Sequence, residues 1–214
     1  MSDFTGVFNE ISELLQKGKA KDVVSAVEKA LNDGASPEDI LEKGLIAGMD
    51  IISGKFKRKI IFVPDVLLSA RAMNYASATL KPALVESGVK PVGKAVICTV
   101  KGDLHDIGKN IVKIMLEGKG IEVIDLGVDC TNEKIIETIK ASDAKVLCLS
   151  SLLTTTMLMQ KEAIDALKTA GLRDKVKVMV GGAPVTQEYA DEIGADAYTS
   201  DAASAAEVCR AFYN

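Results

Sequence analysis

Through the C-terminal part of the chain, five short apolar runs at residues 95–100, 121–126, 146–149, 176–180 and 195–198 alternate with helical patterns. No hairpin signal separates them, and strands joined by crossovers of this length pair in parallel. The pattern specifies an α/β domain, a Rossmann-like sheet of five parallel strands covered by helices on both faces. Open sheets of this kind bind ligands outside the carboxyl ends of their strands, where the strand order reverses. In a flavodoxin-type order 2-1-3-4-5, strands one and three flank that point.

The preceding residues follow a helical period. Phe8, Ile11, Leu14 and Leu15 mark one apolar face, and Val23, Val24, Val27 and Leu31 a second, closed by Asn32-Asp33-Gly34. Ser36-Pro37-Glu38-Asp39 is a helix start, with a hydroxyl cap, proline in the first turn and acids at the positive end of the dipole. That helix carries Ile40, Leu41, Leu45, Met49 and Ile52. A fourth begins near Pro64 and runs through Leu67, Leu68, Met73 and Leu80, with Pro82 marking a kink or an end. Short connections make this a four-helix bundle. Gly and Pro on both sides of Val89-Lys90 then break the pattern. We expect a helical cap domain over residues 1–88, a linker over 89–93 and an α/β domain over 94–214.

Composition narrows the function classes. A net charge of −4 argues against a nucleic-acid surface, since phosphate binding is dominated by Lys and Arg. There is no apolar run approaching the ~20 residues of a membrane span, and Met1-Ser2-Asp3-Phe4 lacks the layout of a secretory signal. The expected location is the cytoplasm, with no membrane partner. Cys98, Cys130, Cys148 and Cys209 show no Cys-x-x-Cys spacing, and Cys98 and Cys148 fall in strand runs as small core residues. The basic stretch Lys55-Phe56-Lys57-Arg58-Lys59 is either a solvated turn or a steering site for an acidic partner.

The chain has one histidine, His105, in Gly102-Asp103-Leu104-His105-Asp106-Ile107-Gly108, after the first strand and at a helix start. A metal-binding imidazole commonly donates its other N–H to a carboxylate, and Asp103 is placed to receive it. A solvated histidine at a helix end would also fit. Three further segments fall in loops on the same rim: Ser150-Ser151-Leu152-Leu153-Thr154-Thr155-Thr156 after strand three, Gly181-Gly182 after strand four and Thr199-Ser200-Asp201 after strand five. Consecutive threonines are poor interior helix formers but suit a cap and offer donors to a buried ligand. Gly108, Gly181 and Gly182 would admit a rigid ligand close to the backbone, or serve as ordinary turn residues.

In register, Asp-x-His-x-x-Gly, Ser150-Ser151-Leu152 and Gly181-Gly182 resemble the cobalamin-binding domain of methionine synthase and, more closely, the small corrinoid proteins of anaerobic methyltransferase systems. The resemblance covers nearly the whole chain, because a helical segment precedes the cobalamin domain in both. It implies a corrinoid cofactor, cobalamin with its cobalt, methylated in turnover. The base would be off the metal, the nucleotide tail in a slot of the sheet, and His105 the metal ligand. His105, Asp103 and Thr156 would form the functional chain; methionine synthase has serine where Thr156 stands. Ser150 would bond the tail base, Leu152 pack on it and Thr154 approach the corrin underside. Gly102, Leu104, Asp106, Ile107 and Gly108 would contact the cofactor from the histidine loop, and Gly181, Gly182, Thr199 and Asp201 from the later loops. Residues 61–71 resemble the cap segment of these proteins, in which Phe62 would cover the methyl site; bundle core is the other reading of Phe62.

The same resemblance implies a methyl-carrying component rather than a stand-alone enzyme. Its partners would be a substrate-specific corrinoid methyltransferase, a second methyltransferase passing the methyl group to tetrahydrofolate or a thiol coenzyme, and a reductive activation protein. The donor stays open among a methylamine, a betaine, methanol and a methoxylated aromatic. Two alternatives remain: the cobalamin-binding subunit of an adenosylcobalamin mutase, which usually lacks the helical segment, and a cobalamin-sensing regulator, which would need a DNA-binding module not visible up to Asn214.

Overall fold

The computed structural model describes residues 4–88 and 91–213. Val89 and Lys90, in the expected linker, and Met1-Ser2-Asp3 lie outside the described residues. The chain divides into two compact units, Met1–Pro91 and Val92–Asn214.

The first unit is helical. Helix α1 (Thr5–Gln16) buries Phe8, Ile11 and Leu15, and α2 (Ala20–Asn32) buries Val23, Val27 and Ala30, each on one face. Ser36 caps the next helix by accepting the Asp39 N–H. Helix α3 (Pro37–Asp39) passes through a π-helical stretch (Ile40–Ile46) into α4 (Ala47–Lys57). The simple helical period assigned here gives way to this wider turn, and Leu41 is the one apolar position assigned to this helix that is left only partly buried, while Leu67 and Leu68, assigned to the fourth helix, are exposed. Two glycines explain the close fit: a Cβ on Gly44 would stand 3.0 Å from the Ile11 side chain, and one on Gly48 3.2 Å from the Ser12 backbone. Helix α5 (Val63–Glu86) opens on Pro64 and continues past Pro82, which is neither end nor terminus of the helix. Only its last turn follows Pro82, so little of the hydrogen-bond ladder depends on the missing N–H.

The second unit is the α/β sheet, running β1 (Gly93–Thr99), α6 (Ile107–Gly118), β2 (Ile121–Asp125), α7 (Asn132–Ala141), β3 (Val146–Ser150), α8 (Thr154–Thr169), β4 (Lys177–Gly181), α9 (Gln187–Ile193), β5 (Ala197–Tyr198) and α10 (Ala202–Ala211). All five strands are parallel, in the order β2-β1-β3-β4-β5. β1, β3 and β4 are apolar on both faces because helices cover both; Val96, Cys98, Leu147, Leu149, Val178 and Val180 enter one core with Ile135, Ile164 and Leu167. Gly93, assigned to the linker, opens β1 instead: a Cβ there would fall 2.2 Å from the Tyr213 ring, so only glycine lets the C-terminal aromatic lie on the strand. All four cysteines are buried and free. Among the described residues no helix is long and apolar enough to cross a membrane.

Candidate functional site

The strand register sets the rim of the sheet. Thr99, Ser150 and Gly181 face one another across β1, β3 and β4 on their last rung. The chain leaves β1 through Val100, turns at Gly102, whose φ of +79° suits glycine, and enters α6 after Asp106. Gly102 donates its N–H to Asp129 Oδ1 at 2.7 Å, and the Asp129 N–H donates to the Asp103 carbonyl at 3.0 Å, so the loop after β2 braces the histidine loop.

Asp103 is fully buried and collects donors from two loops. Oδ1 accepts the His105 backbone N–H at 3.0 Å and lies 2.7 Å from His105 Nδ1. Oδ2 accepts the Leu152 N–H at 2.8 Å, the Leu153 N–H at 3.4 Å and the Thr156 hydroxyl at 2.7 Å. Burial by itself pushes the carboxyl up. The Thr156 hydroxyl, the N–H groups of His105 and Leu152 and the His105 ring outweigh burial and hold it well below the usual carboxylate range. Asp103 is therefore an ionised acceptor, and its partner Nδ1 must carry a proton. The neutral ring then presents the lone pair of Nε2.

Thr156 has a single hydroxyl proton. If it goes to Asp103, the 2.8 Å contact with buried Ser151 is made by the Ser151 hydroxyl donating to Thr156 Oγ1. The chain Ser151, Thr156, Asp103, His105 thus runs from the interior to an exposed imidazole. The structure brings His105 and Asp103, paired in the sequence, together with Thr156, which the resemblance alone had added to them; Ser151 was quoted with Ser150 but given no role. Thr99 was missed as well: its buried hydroxyl donates to the His105 carbonyl at 2.8 Å. So was Lys109, a buried lysine in the first turn of α6 bonded to both oxygens of Asp125 at 2.7 and 2.8 Å.

The remaining candidates divide. Leu104 and Ile107 are 71% and 73% exposed, and with Leu152 and Leu153 they put apolar side chains in the two loops joined by Asp103. Thr154, also exposed, starts α8. Asp106 accepts from Asn110 Nδ2 at 3.1 Å. A Cβ on Gly108 or Gly181 would meet nothing within 4 Å, whereas one on Gly182, at φ +130°, would fall 1.7 Å from the Ser151 carbonyl oxygen. Gly182 is thus required by packing, and the other two border open space. Asp201 spends both carboxylate oxygens on Ser204 as the cap of α10, and Thr199 is half-buried beside it. Phe62 stands on the helical unit, exposed, its N–H bonded to Asp65 at 2.9 Å.

Among the described residues no group of three or more His, Cys, Asp or Glu side chains could hold a bare metal ion. One imidazole nitrogen among exposed leucine and isoleucine side chains suits a metal whose other positions are filled by its own macrocycle. The site therefore fits a corrinoid, and the fold and its rim are those of a cobalamin-binding protein. Two models, each described as a B12 binding domain, match residues 7–81 and 93–209, and the chain belongs to this B12-binding family. It is 44% identical to dimethylamine corrinoid protein 3 of Methanosarcina acetivorans over 96% of each chain. It is 41% identical to monomethylamine corrinoid protein 2 of Methanosarcina mazei, over 95% of this chain and 96% of that one. Among solved structures it resembles the methanol:cobalamin methyltransferase complex MtaBC from Methanosarcina barkeri, with a TM-score of 0.87 and 31% identity, covering 97% of this chain and 80% of that one. A cobalamin-binding protein from Desulfitobacterium hafniense gives a TM-score of 0.79 at 30% identity, covering 96% and 98%.

Proposed function

We propose that this chain binds a corrinoid base-off with His105 as the axial ligand and carries a methyl group between two methyltransferases. The bound corrinoid supplies the cobalt that takes and yields the methyl group. The observation that carries the reading is the chain from Thr156 through buried Asp103 to an exposed imidazole whose Nε2 has no hydrogen-bond partner among the described residues. Asp103 orients the ring and fixes its tautomer, and Thr156 orients Asp103. Leu104, Ile107 and Leu152 offer an apolar bed to a macrocycle and keep water from it, while the space beside Gly108 and Gly181 admits the ligand.

One partner would be a methyltransferase specific for the methyl donor. The names of relatives more than 40% identical over nearly the whole chain support a methylamine as that donor. A second methyltransferase would pass the group to tetrahydrofolate or a thiol coenzyme, with a reductive activation protein as the third partner.

His105 is the chain's one histidine, so growth on 15N-histidine labels the ligand alone. The Co(II) form of the reconstituted protein should show electron-spin coupling to an axial nitrogen whose splitting changes with the label and disappears in His105→Ala. A coupling indifferent to the label would refute the ligation. Methyl transfer from mono- or dimethylamine after adding the corresponding methyltransferase tests the donor separately.

A further inference from the structure

Helix α4 differs at its C-terminal end from six other helices. Helices α1, α2, α5, α6, α8 and α9 are each closed by a glycine in the left-handed region, the residue that enters it without strain. Behind α4 that position is held by Lys59, at φ +58°. The Lys59 N–H donates to the Phe56 carbonyl and the Ile60 N–H to the Lys55 carbonyl, each at 2.9 Å, so the closing turn is complete with a long side chain where glycine fits better. Strain of this kind clusters where a side chain has a function. Lys55 and Lys57 complement the negative end of the helix dipole, but Lys59 lies beyond the last turn. With Arg58 they put four cations into five residues of a chain whose net charge is −4. Lys57, Arg58, Lys59 and Ile60 are exposed in succession. Lys55 donates to the Gln16 side-chain oxygen at 2.9 Å and Arg58 Nε to the Gly54 carbonyl at 3.1 Å; among the described residues neither of them, nor Lys59, is in an ion pair.

We propose that residues 55–60 are the docking surface for the methyltransferase that loads this carrier, and that the enzyme meets them with an acidic patch. The inference rests on the proposed role as a methyl carrier. A carrier has to meet and leave its partner in every turnover, which calls for fast association without long residence. Opposite charges on two surfaces supply the first without requiring the second. Four cations in five residues, on a chain with more acids than bases, make a local positive field that a cluster of partner carboxylates matches and that the same stretch of a second copy repels. With Nε on Gly54, the two terminal nitrogens of Arg58 are left for a carboxylate, the geometry in which arginine binds one best. Ile60, 59% exposed, supplies the apolar centre that a charged rim surrounds in protein interfaces.

The test follows methylation of the reduced holo-protein by the mono- or dimethylamine methyltransferase, with carrier concentration and salt varied. At low salt Lys59→Gly should lower kcat/KM for the carrier about threefold, and Arg58→Gln combined with Lys59→Gly about tenfold or more, through KM rather than kcat. Both gaps should close to within about twofold near 1 M salt, where the Debye length is about 3 Å. Lys59→Gly relieves strain, so it should melt no lower than wild type, which separates lost docking from a damaged fold. A carbodiimide, which joins carboxylates to the amines they touch, should couple acidic side chains of the enzyme to Lys55 or Lys59. An unchanged kcat/KM at low salt, a loss that survives high salt, or coupling confined to other lysines overturns the proposal. Wild-type dimers that the double variant abolishes would give the surface to a second copy and overturn it too. If the methyltransferase methylates the wild-type holo-protein at no salt concentration, the carrier reading fails and this inference with it, an outcome distinct from wild type and variants being methylated alike.

Discussion

The Thr99 hydroxyl holds the carbonyl of His105 at 2.8 Å while Asp103 holds the N–H of the same residue at 3.0 Å. Thr99 is itself fixed, its N–H on the Gly127 carbonyl and its carbonyl under the Cys130 N–H. The histidine is thus tied on both sides to the end of β1 rather than hung from a free loop. Thr99→Val keeps the volume and removes the donor, leaving the His105 carbonyl unpaired at a cost of about 1 kcal/mol. In the Co(II) form it should lower the fraction of cofactor with an axial imidazole, and Thr99→Ser should restore that fraction. An unchanged fraction in Thr99→Val would show that the clamp does not govern ligation.

Asp103→Asn replaces an acceptor that faces donors only. One side of the amide must then point N–H groups at N–H or O–H groups, either those of Leu152 and Thr156 or those of His105. Losing a ligand's carboxylate partner typically costs ~10–100-fold in metal affinity or activity. We expect weaker axial ligation with most of the cofactor affinity kept. Cofactor titration and the Co(II) spectrum read the two separately, and unchanged ligation would remove Asp103 from its assigned role.

The rim glycines separate packing from ligand space. Gly182→Ala must push against the Ser151 backbone from a strained φ, so it should lower apo stability by ~2 kcal/mol or more. Gly108→Ala and Gly181→Ala enter open space and should leave apo stability within ~1 kcal/mol, yet both should weaken corrinoid binding. Thermal unfolding of the apo chain against cofactor titration distinguishes these patterns. Full corrinoid affinity in Gly181→Ala would place the ligand elsewhere.

The sheet was legible because buried parallel strands are written as uninterrupted apolar runs: all five were found, with ends shifted by one or two residues. The strand order was expected from the same reading and is observed. The π-helical stretch was invisible, since it depends on how closely Gly44 and Gly48 let α1 approach. At the rim, His105 and Asp103 stand two residues apart and could be paired by eye. Thr99, Ser151 and Lys109 act across strands or helices, on partners 5 to 16 positions away, through contacts that only the packed fold creates. A lysine amid an apolar helical pattern was the available signal, and it does not name its partner.

Behind the histidine, Lys109 also donates to Asn110 Oδ1 at 2.8 Å, and Asn110 reaches Asp106, so the Asp125 carboxylate secures the start of α6. The Lys109 side chain is 2% exposed, and Asp125→Asn leaves its charge without a counter-ion. Removing one partner of a buried pair costs ~3–5 kcal/mol; Asp125 is partly exposed and Lys113 is close by, so the lower end is expected. Burial pushes the Asp125 carboxyl up, but the Lys109 hydrogen bond, the Gly127 N–H and the charges of Lys109 and Lys113 bring it below its ordinary value. A carboxyl depressed in the fold stabilises fully above the unfolded pKa of about 3.9 and loses that contribution as pH falls through its folded value. Asp125→Asn should therefore be much less stable than wild type at pH 7, with the gap narrowing below about pH 4 as the wild-type carboxyl takes up its proton. The double change Lys109→Met with Asp125→Leu, which removes both charges, should recover most of the loss. Urea unfolding across this pH range measures all three chains, and a gap independent of pH would show that the charge of Asp125 is not what secures the helix.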